Sequence, residues 1–178
     1  MRIEIIKAKT EHAPAIAYIG RTAFKEAFAH FFHHSSELEE YLDYTYGVDK
    51  IAGSLRKENN VYFLATVEGL PVGFAKVRKH SLHDQLDSVF QSELQKLYVL
   101  KQYHGSGIGQ SLMNAVTRFV GSFEPECLWL DTLVQNSRAI RFYERNGFVK
   151  SGTDHFTIGS QTFKYFLMAM PVSINQTS

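Results

Sequence analysis

One cysteine, Cys127, in 178 residues excludes an intramolecular disulfide framework and any zinc or iron–sulfur centre built from thiolates. No apolar run approaches the length of a membrane span. Charge of one sign is also lacking: 19 Lys and Arg stand against 18 Asp and Glu, a formal +1. A chain so nearly neutral has no global field to hold nucleic acid or an anionic membrane, and neither partner is expected. Four prolines and 12 glycines form no linker, repeat or low-complexity tract. With 44% hydrophobic and 21% charged residues, disorder is excluded as well. Length and composition fit one domain over residues 1–178. Met1-Arg2-Ile3-Glu4 carries no signal-peptide apolar region, so the expected setting is the cytoplasm.

Periodicity supplies the elements. Ile3 to Ala8 reads as a strand. Thr10 is placed to cap a helix whose apolar residues recur from Ile16 through Phe28. Ser36 with Glu39 fits a capping box for a second helix, with Leu38 and Leu42 on its apolar stripe. A short helix is predicted over Asp49 to Lys57. Val61–Val67 and Val72–Val77 flank the turn Glu68-Gly69 as a hairpin. His80 to Val89 reads as a loop, Glu93 to Leu100 as a strand, Ile108 to Val120 as a helix and Leu128 to Val134 as a strand. Asn136 to Asn146 reads as a helix with Asn at its start and Gly147 past its end. A final hairpin turns at Gly159-Ser160. This order predicts a mixed α/β domain rather than a doubly wound parallel sheet.

The most informative segment is Leu97-Tyr98-Val99-Leu100-Lys101-Gln102-Tyr103-His104-Gly105-Ser106-Gly107-Ile108-Gly109. A strand runs into a glycine-rich turn that opens a helix, a geometry that favours phosphate through free N–H groups and the helix dipole. It is not a Walker loop, because Gly109-Gln110-Ser111 lacks the lysine. It is not a dinucleotide fingerprint, because the spacing is G-x-G-x-G.

Gln102-x-x-Gly105-x-Gly107 after Leu97-Tyr98-Val99 is similar to the acetyl-CoA signature of the GNAT superfamily of N-acetyltransferases. Asn136-Ser137-Arg138-Ala139-Ile140-Arg141-Phe142-Tyr143-Glu144-Arg145-Asn146-Gly147-Phe148 resembles that superfamily's later motif, in the right order. The resemblance spans roughly Ile3 to Met170. It implies an α+β fold: a mixed central sheet of about seven strands, splayed between its central parallel strands and flanked by about four helices. Thr22-Ala23-Phe24, Glu39-Glu40-Tyr41-Leu42 and Gly152-Thr153-Asp154-His155-Phe156 look like PaiA-type polyamine acetyltransferases, whereas Tyr165 stands where those relatives lead one to expect an acid.

The resemblance also implies roles. Acetyl-CoA is the co-substrate, and no metal is expected. Gly105, Gly107 and Gly109, with Ser106 and Ile108 between them, present N–H groups to the pyrophosphate, with Gln102 and His104 alongside. Leu97, Tyr98 and Val99 pair with the pantetheine arm, and an N–H near Leu97 holds the oxyanion. Asn136 caps its helix and reaches the pantetheine. Tyr143 protonates the departing thiolate. Glu93, expected by alternation to share a face with Gln95, Leu97 and Val99, falls where histone-type members carry a base. An alkylamine titrates near ~10.4, so freeing it of its proton at pH 7 costs about 4.6 kcal/mol, and a base or water relay is needed.

Other residues are less decisive. Glu39, Glu40 and Asp43 read as a solvated face or an acidic lip for a cation. His30, His33 and His34 read as a loop with aromatic packing rather than a metal site. Arg138 and Arg141 compete for the ribose phosphate. The function expected is direct acetyl transfer to a primary amine, a polyamine such as spermidine or spermine first. A protein N-terminus or another small amine is the alternative, and a non-catalytic acetyl-CoA sensor the competing class. A homodimer is compatible with this reading.

Overall fold

The computed structural model describes residues 1–172. In chain order the elements are β1 (Ile3–Lys7), α1 (Ala13–Phe28), α2 (Ser35–Thr45), α3 (Val48–Leu55), β2 (Asn60–Val67), β3 (Leu70–Arg78) and β4 (Gln91–Val99). They continue with α4 (Ile108–Gly121), β5 (Cys127–Leu133), α5 (Ser137–Arg145), β6 (Val149–Ile158) and β7 (Gln161–Pro171). The seven strands form one sheet in the order β1-β2-β3-β4-β5-β7-β6. Every neighbouring pair is antiparallel except β4 and β5.

The sheet separates two cores, because alternate side chains on a strand face opposite ways. Tyr62, Leu64 and Phe74 pack under α1–α3 with Ile16, Ile19, Leu42 and Ile51. Ala65, Ala75, Val77 and Leu130 pack under α4 with Ile108, Leu112, Met113 and Val116. Both faces being covered explains why the central strands read as nearly continuous apolar runs.

Two capping expectations fail. Thr10 lies in a single 3₁₀ turn, Thr10–His12, and α1 starts at Ala13 with Pro14 in its first turn, where a missing N–H costs nothing. The helix α2 begins at Ser35 with no side-chain cap. Glu39 does not close a box with Ser36, because its carboxylate binds Arg21 and Lys25 of α1. A charged partner outcompetes a backbone N–H for a carboxylate.

Two irregularities in β4 shape the site. The first is its pairing with β5, which lasts for three rungs, Gln91 with Cys127, Ser92 with Leu128 and Glu93 with Trp129. Beyond them the parallel strands part, as the expected splay requires, and β5 stays paired with β7 as far as Leu133 and Tyr165. The second is a bulge: Lys76 pairs with Lys96 but Val77 pairs with Leu94, so Gln95 is the extra residue. An extra residue inverts the alternation beyond it. Leu94, Leu97 and Val99 therefore all meet the α4 core, while Tyr98 meets the α1–α3 core. Glu93 falls on the side of Lys96 and Tyr98. The expectation that it shares a face with Leu97 and Val99 is corrected, since strict alternation does not survive the bulge.

Candidate active site

Where β4 and β5 separate, a cavity of about 870 Å³ opens. Leu97, Tyr98 and Val99 line it from β4, Asp131 and Thr132 from β5, and Asn136 and Tyr143 from α5 and its cap. Gly105, Gly107 and Gly109 line its mouth.

The chain reaches that mouth through one 3₁₀ turn, Lys101–Tyr103. Gly105 and Gly107 take φ of +80° and +86°, the left-handed region where a side chain costs energy. A Cβ at either would meet nothing within 4 Å, so the demand for glycine is conformational and the space beside the loop is free. Gly107 is the N-cap of α4. The first N–H groups of a helix, here those of Ile108 and Gly109, have no intrahelical acceptor. Free N–H groups with a helix dipole behind them attract anions.

Not every expected loop residue joins in. The N–H groups of His104 and Ser106 bond within the turn, to the carbonyls of Lys101 at 3.0 Å and Tyr103 at 3.4 Å. Gln102, Ser106 and Ile108 do not line the cavity, and the Ile108 side chain is buried in the α4 core. The His104 ring is held at both nitrogens: Nε2 lies 2.8 Å from the Val99 carbonyl, and Nδ1 lies against the Arg138 guanidinium. Arginine only donates, so His104 accepts at Nδ1 and donates from Nε2. This contact brings Arg138, not Arg141, to the cavity wall.

Asn136 caps α5 as expected, its Oδ1 accepting from Ala139 N–H at 3.2 Å, and it lines the cavity at the same time. Tyr143 packs edge-on against Phe142 and Phe148, at centroid distances of 5.5 and 5.8 Å. Burial pushes its phenol up to about 12, so it enters any reaction as a proton donor.

Glu93 is 8% exposed. Its Oε2 accepts from Arg78 at 3.2 Å and from the Ser81 hydroxyl at 3.0 Å. Lys96 also lines the cavity, with its Nζ 5.0 Å from the centre of the Tyr46 ring, and burial lowers it to about 8. Glu39 and Asp43 are bound to Arg21 and Lys25, so they clamp α2 to α1 instead of forming a free acidic lip. His30 packs against Phe31 at a tilt, at 3.9 Å between centroids, as the aromatic-loop reading expected.

Sequence reasoning missed Asp131. Burial is the main reason its carboxyl is pushed up to about 8, followed by a hydrogen bond and the charge of Asp154, then the charge of Glu93. A signal was present: Asp131 is the lone ionisable residue in Leu128-Trp129-Leu130-Asp131-Thr132-Leu133-Val134, a strand buried on both faces.

Comparison with known proteins agrees with this geometry. Residues 20–148, more than half the chain, match the profile of the acetyltransferase (GNAT) family. An uncharacterised N-acetyltransferase of Lactobacillus delbrueckii subsp. lactis is 20% identical over 93% of this chain and 95% of its own. An uncharacterised N-acetyltransferase of Mycobacterium tuberculosis is 28% identical over 74% of this chain and 80% of its own. The PaiA N-acetyltransferase of Thermoplasma acidophilum, solved with coenzyme A, superposes with a TM-score of 0.79 at 22% identity, over 96% of this chain and 99% of that one. The ribosomal-protein-S18-alanine N-acetyltransferase of Escherichia coli gives 0.72 at 20% identity, over 99% and 98%. At these identities the two structures speak for the fold, and the family match speaks for the chemistry. An open seam between two parallel strands, a left-handed glycine loop at its mouth and a matching family profile give one conclusion: this chain belongs to the acetyltransferase (GNAT) family and is an acetyl-CoA-dependent N-acetyltransferase.

Proposed function

We propose that the protein transfers acetyl directly from acetyl-CoA to a primary amine in a ternary complex, and that the amine is a polyamine such as spermidine or spermine. The observation that carries direct transfer is that one cavity holds the glycine loop, the open edge of β4 and the Tyr143 phenol together. The pyrophosphate rests on the N–H groups around Gly105, Gly107, Ile108 and Gly109, with His104 and Arg138 beside it. Ser106 supports the turn, its hydroxyl donating to the Tyr103 carbonyl at 2.5 Å. The pantetheine lies along Leu97, Tyr98 and Val99 as an added strand, its far side toward Asn136. The Leu97 N–H polarises the thioester carbonyl. Tyr143 protonates the leaving sulfur.

A polyamine is supported by the acids Glu93 and Asp131 and the aromatic Phe24, Phe28, Tyr41 and Phe156 on the same walls. Carboxylates and ring faces both attract ammonium groups. One observation favours a second reading. Lys96 shares the cavity, and a cation there suits an amine with a neighbouring carbonyl or carboxylate, as at a protein N-terminus.

The test is CoA release from acetyl-CoA with spermidine, spermine, N-terminal peptides and simple amines in parallel. Turnover with the polyamines well above the rest supports the first reading, and turnover confined to peptides the second. Tight acetyl-CoA binding with no turnover on any amine would make the protein a sensor.

A further inference from the structure

Neither the glycine loop nor Tyr143 accounts for Asp131. It stands on β5 two residues past Trp129, where the seam opens. It lines the large cavity and also a second one of about 440 Å³, walled by Ser81, His83, Trp129 and Asp154. Among the described residues, its Oδ1 is buried without a partner. One side-chain nitrogen or oxygen from each of His83, Asp131 and Asp154 lies within 4.8 Å of the others.

Asp154 is braced from its far side. Its Oδ2 lies 2.7 Å from His83 Nε2, and its Oδ1 accepts from Gln85 Nε2 at 3.1 Å. The His83 side chain is 10% exposed. Its Nδ1 accepts from the Gln85 backbone N–H at 3.2 Å, and its ring meets Trp129 edge-on at 4.9 Å. With Nδ1 accepting, the neutral ring carries its proton on Nε2 and donates it to Asp154. Asp154 thus receives donors on both oxygens. Asp131 Oδ1 has no such donor, and it is the Asp131 carboxyl that burial pushes up.

We propose that Asp131 takes the proton of the acceptor amine, and that Asp154, braced by His83, is the positioning residue that sets Asp131 for this task. The proposal rests on the acetyl-transfer reading above. The amine nitrogen forms the N–C bond to the acetyl carbon, and the C–S bond breaks. The sulfur takes its proton from Tyr143, and the amine's proton passes to the Asp131 carboxylate. Solvent then returns a proton to Tyr143 and removes one from Asp131. The amine arrives as an ammonium group, whose charge favours the ionised form of Asp131; it gives one proton to solvent before attacking as the free amine, and the second, released as the N–C bond forms, is the one Asp131 takes.

The groups facing Asp131 are Glu93 on β4, Asp154 on β6, Tyr165 on β7 and His83 on the loop before β4. Arg78 on β3 is engaged by Glu93. A proton affinity near neutrality is where a general base works best, and Asp131 has it through burial and Asp154. By contrast Oε2 of Glu93 is already shared between Arg78 and Ser81.

The experiment is the pH profile of kcat/KM for the acetylated amine, in the wild type and in Asp131→Asn, Asp154→Asn and Glu93→Gln. The amine's own limb lies near pH ~10 and is separate. The wild type should show a limb near pH 8. Asp131→Asn should lose about 10²-fold or more together with that limb. Asp154→Asn removes a like charge, so its limb should move down by about one unit or more, and Glu93→Gln should move it less. An unmoved limb in Asp154→Asn, or a full rate with the same limb in Asp131→Asn, would overturn the proposal. Should Asp131→Asn fail to fold, the Asp154→Asn limb decides alone. Acetyl-CoA affinity by calorimetry is read on every variant. If the wild type does not bind acetyl-CoA, it is the acetyl-transfer reading that has failed.

Discussion

Glu93 and Trp129 form the last rung between β4 and β5. Past that pair, among the described residues, the inner edge of β4 has no strand beside it, while β5 continues along β7. The main-chain groups of Leu97 to Val99 on that side face the cavity instead of a neighbour. Buried main-chain donors and acceptors require partners, and a ligand with its own amide groups can supply them. This follows from where the ladder stops, and it makes the seam the natural bed for a pantetheine arm.

Tyr143→Phe should leave the fold and the acetyl-CoA affinity intact, since its ring contacts with Phe142 and Phe148 remain. Turnover should fall by roughly 10²–10⁴-fold, the span for loss of one positioned acid. Because burial holds the phenol up to about 12, the wild-type rate should show no basic limb from Tyr143 below pH 11. Steady-state CoA release across pH checks both statements, and unchanged turnover would return Tyr143 to a packing role.

Gly107 separates strain from charge. Gly107→Ala forces a side chain into a φ of +86° but into open space, so it should destabilise by about 1 kcal/mol. For a domain of this size that corresponds to roughly 2–4 °C in Tm. Gly107→Asp adds a carboxylate where the pyrophosphate should lie and should weaken acetyl-CoA binding well beyond the alanine variant. Calorimetric titration of both, with melting curves, decides it; equal affinities would show that the loop holds no phosphate.

The clamp between α1 and α2 makes a contrary expectation. The Glu39 carboxyl is lowered from its ordinary value, first by its bond to Lys25, and its charge is already matched by Arg21 and Lys25. Glu39→Gln should therefore leave kcat/KM for a cationic amine, and its dependence on salt, unchanged. A clear loss of salt dependence would restore Glu39 to an acidic lip.

Asp131 should leave a trace in stability as well as in rate. Its folded carboxyl is raised from 3.8 to about 8, so between those values the folded state binds more protons than the unfolded. Stability must then fall as pH rises through that window. Asp131→Asn cannot titrate, so its Tm should gain on the wild type from pH 5 to pH 8. A constant difference across the range would mean that Asp131 titrates alike in both states.

What could be seen in the chain beforehand was what acts over a few residues. The glycines at 105 and 107 announce a left-handed turn because other residues avoid it. Asn136 announces a helix start because its side chain reaches an N–H three residues on. The Ser36–Glu39 box had the right spacing, but Glu39 found cations on another helix. The Gln95 bulge left no compositional mark, and the face of Glu93 was misread with it. The bond between His83 and Asp154 spans 71 positions, a distance no local pattern reports. Asp131 alone among these was visible, as a charge inside an apolar strand, and only a structure shows what stands opposite it.

Three backbone rungs at one end of β4 and β5 stitch the two parts of the sheet together. A joint closed at one end and open at the other behaves like a partly drawn zip, and its bare strand edges are a standing risk of pairing with another chain. Whatever lies in the seam closes it. The lifetime of this protein in a cell should therefore follow the supply of its own co-substrate: a hundredfold excess over Kd is worth about 2.7 kcal/mol, and an emptied seam loses that protection.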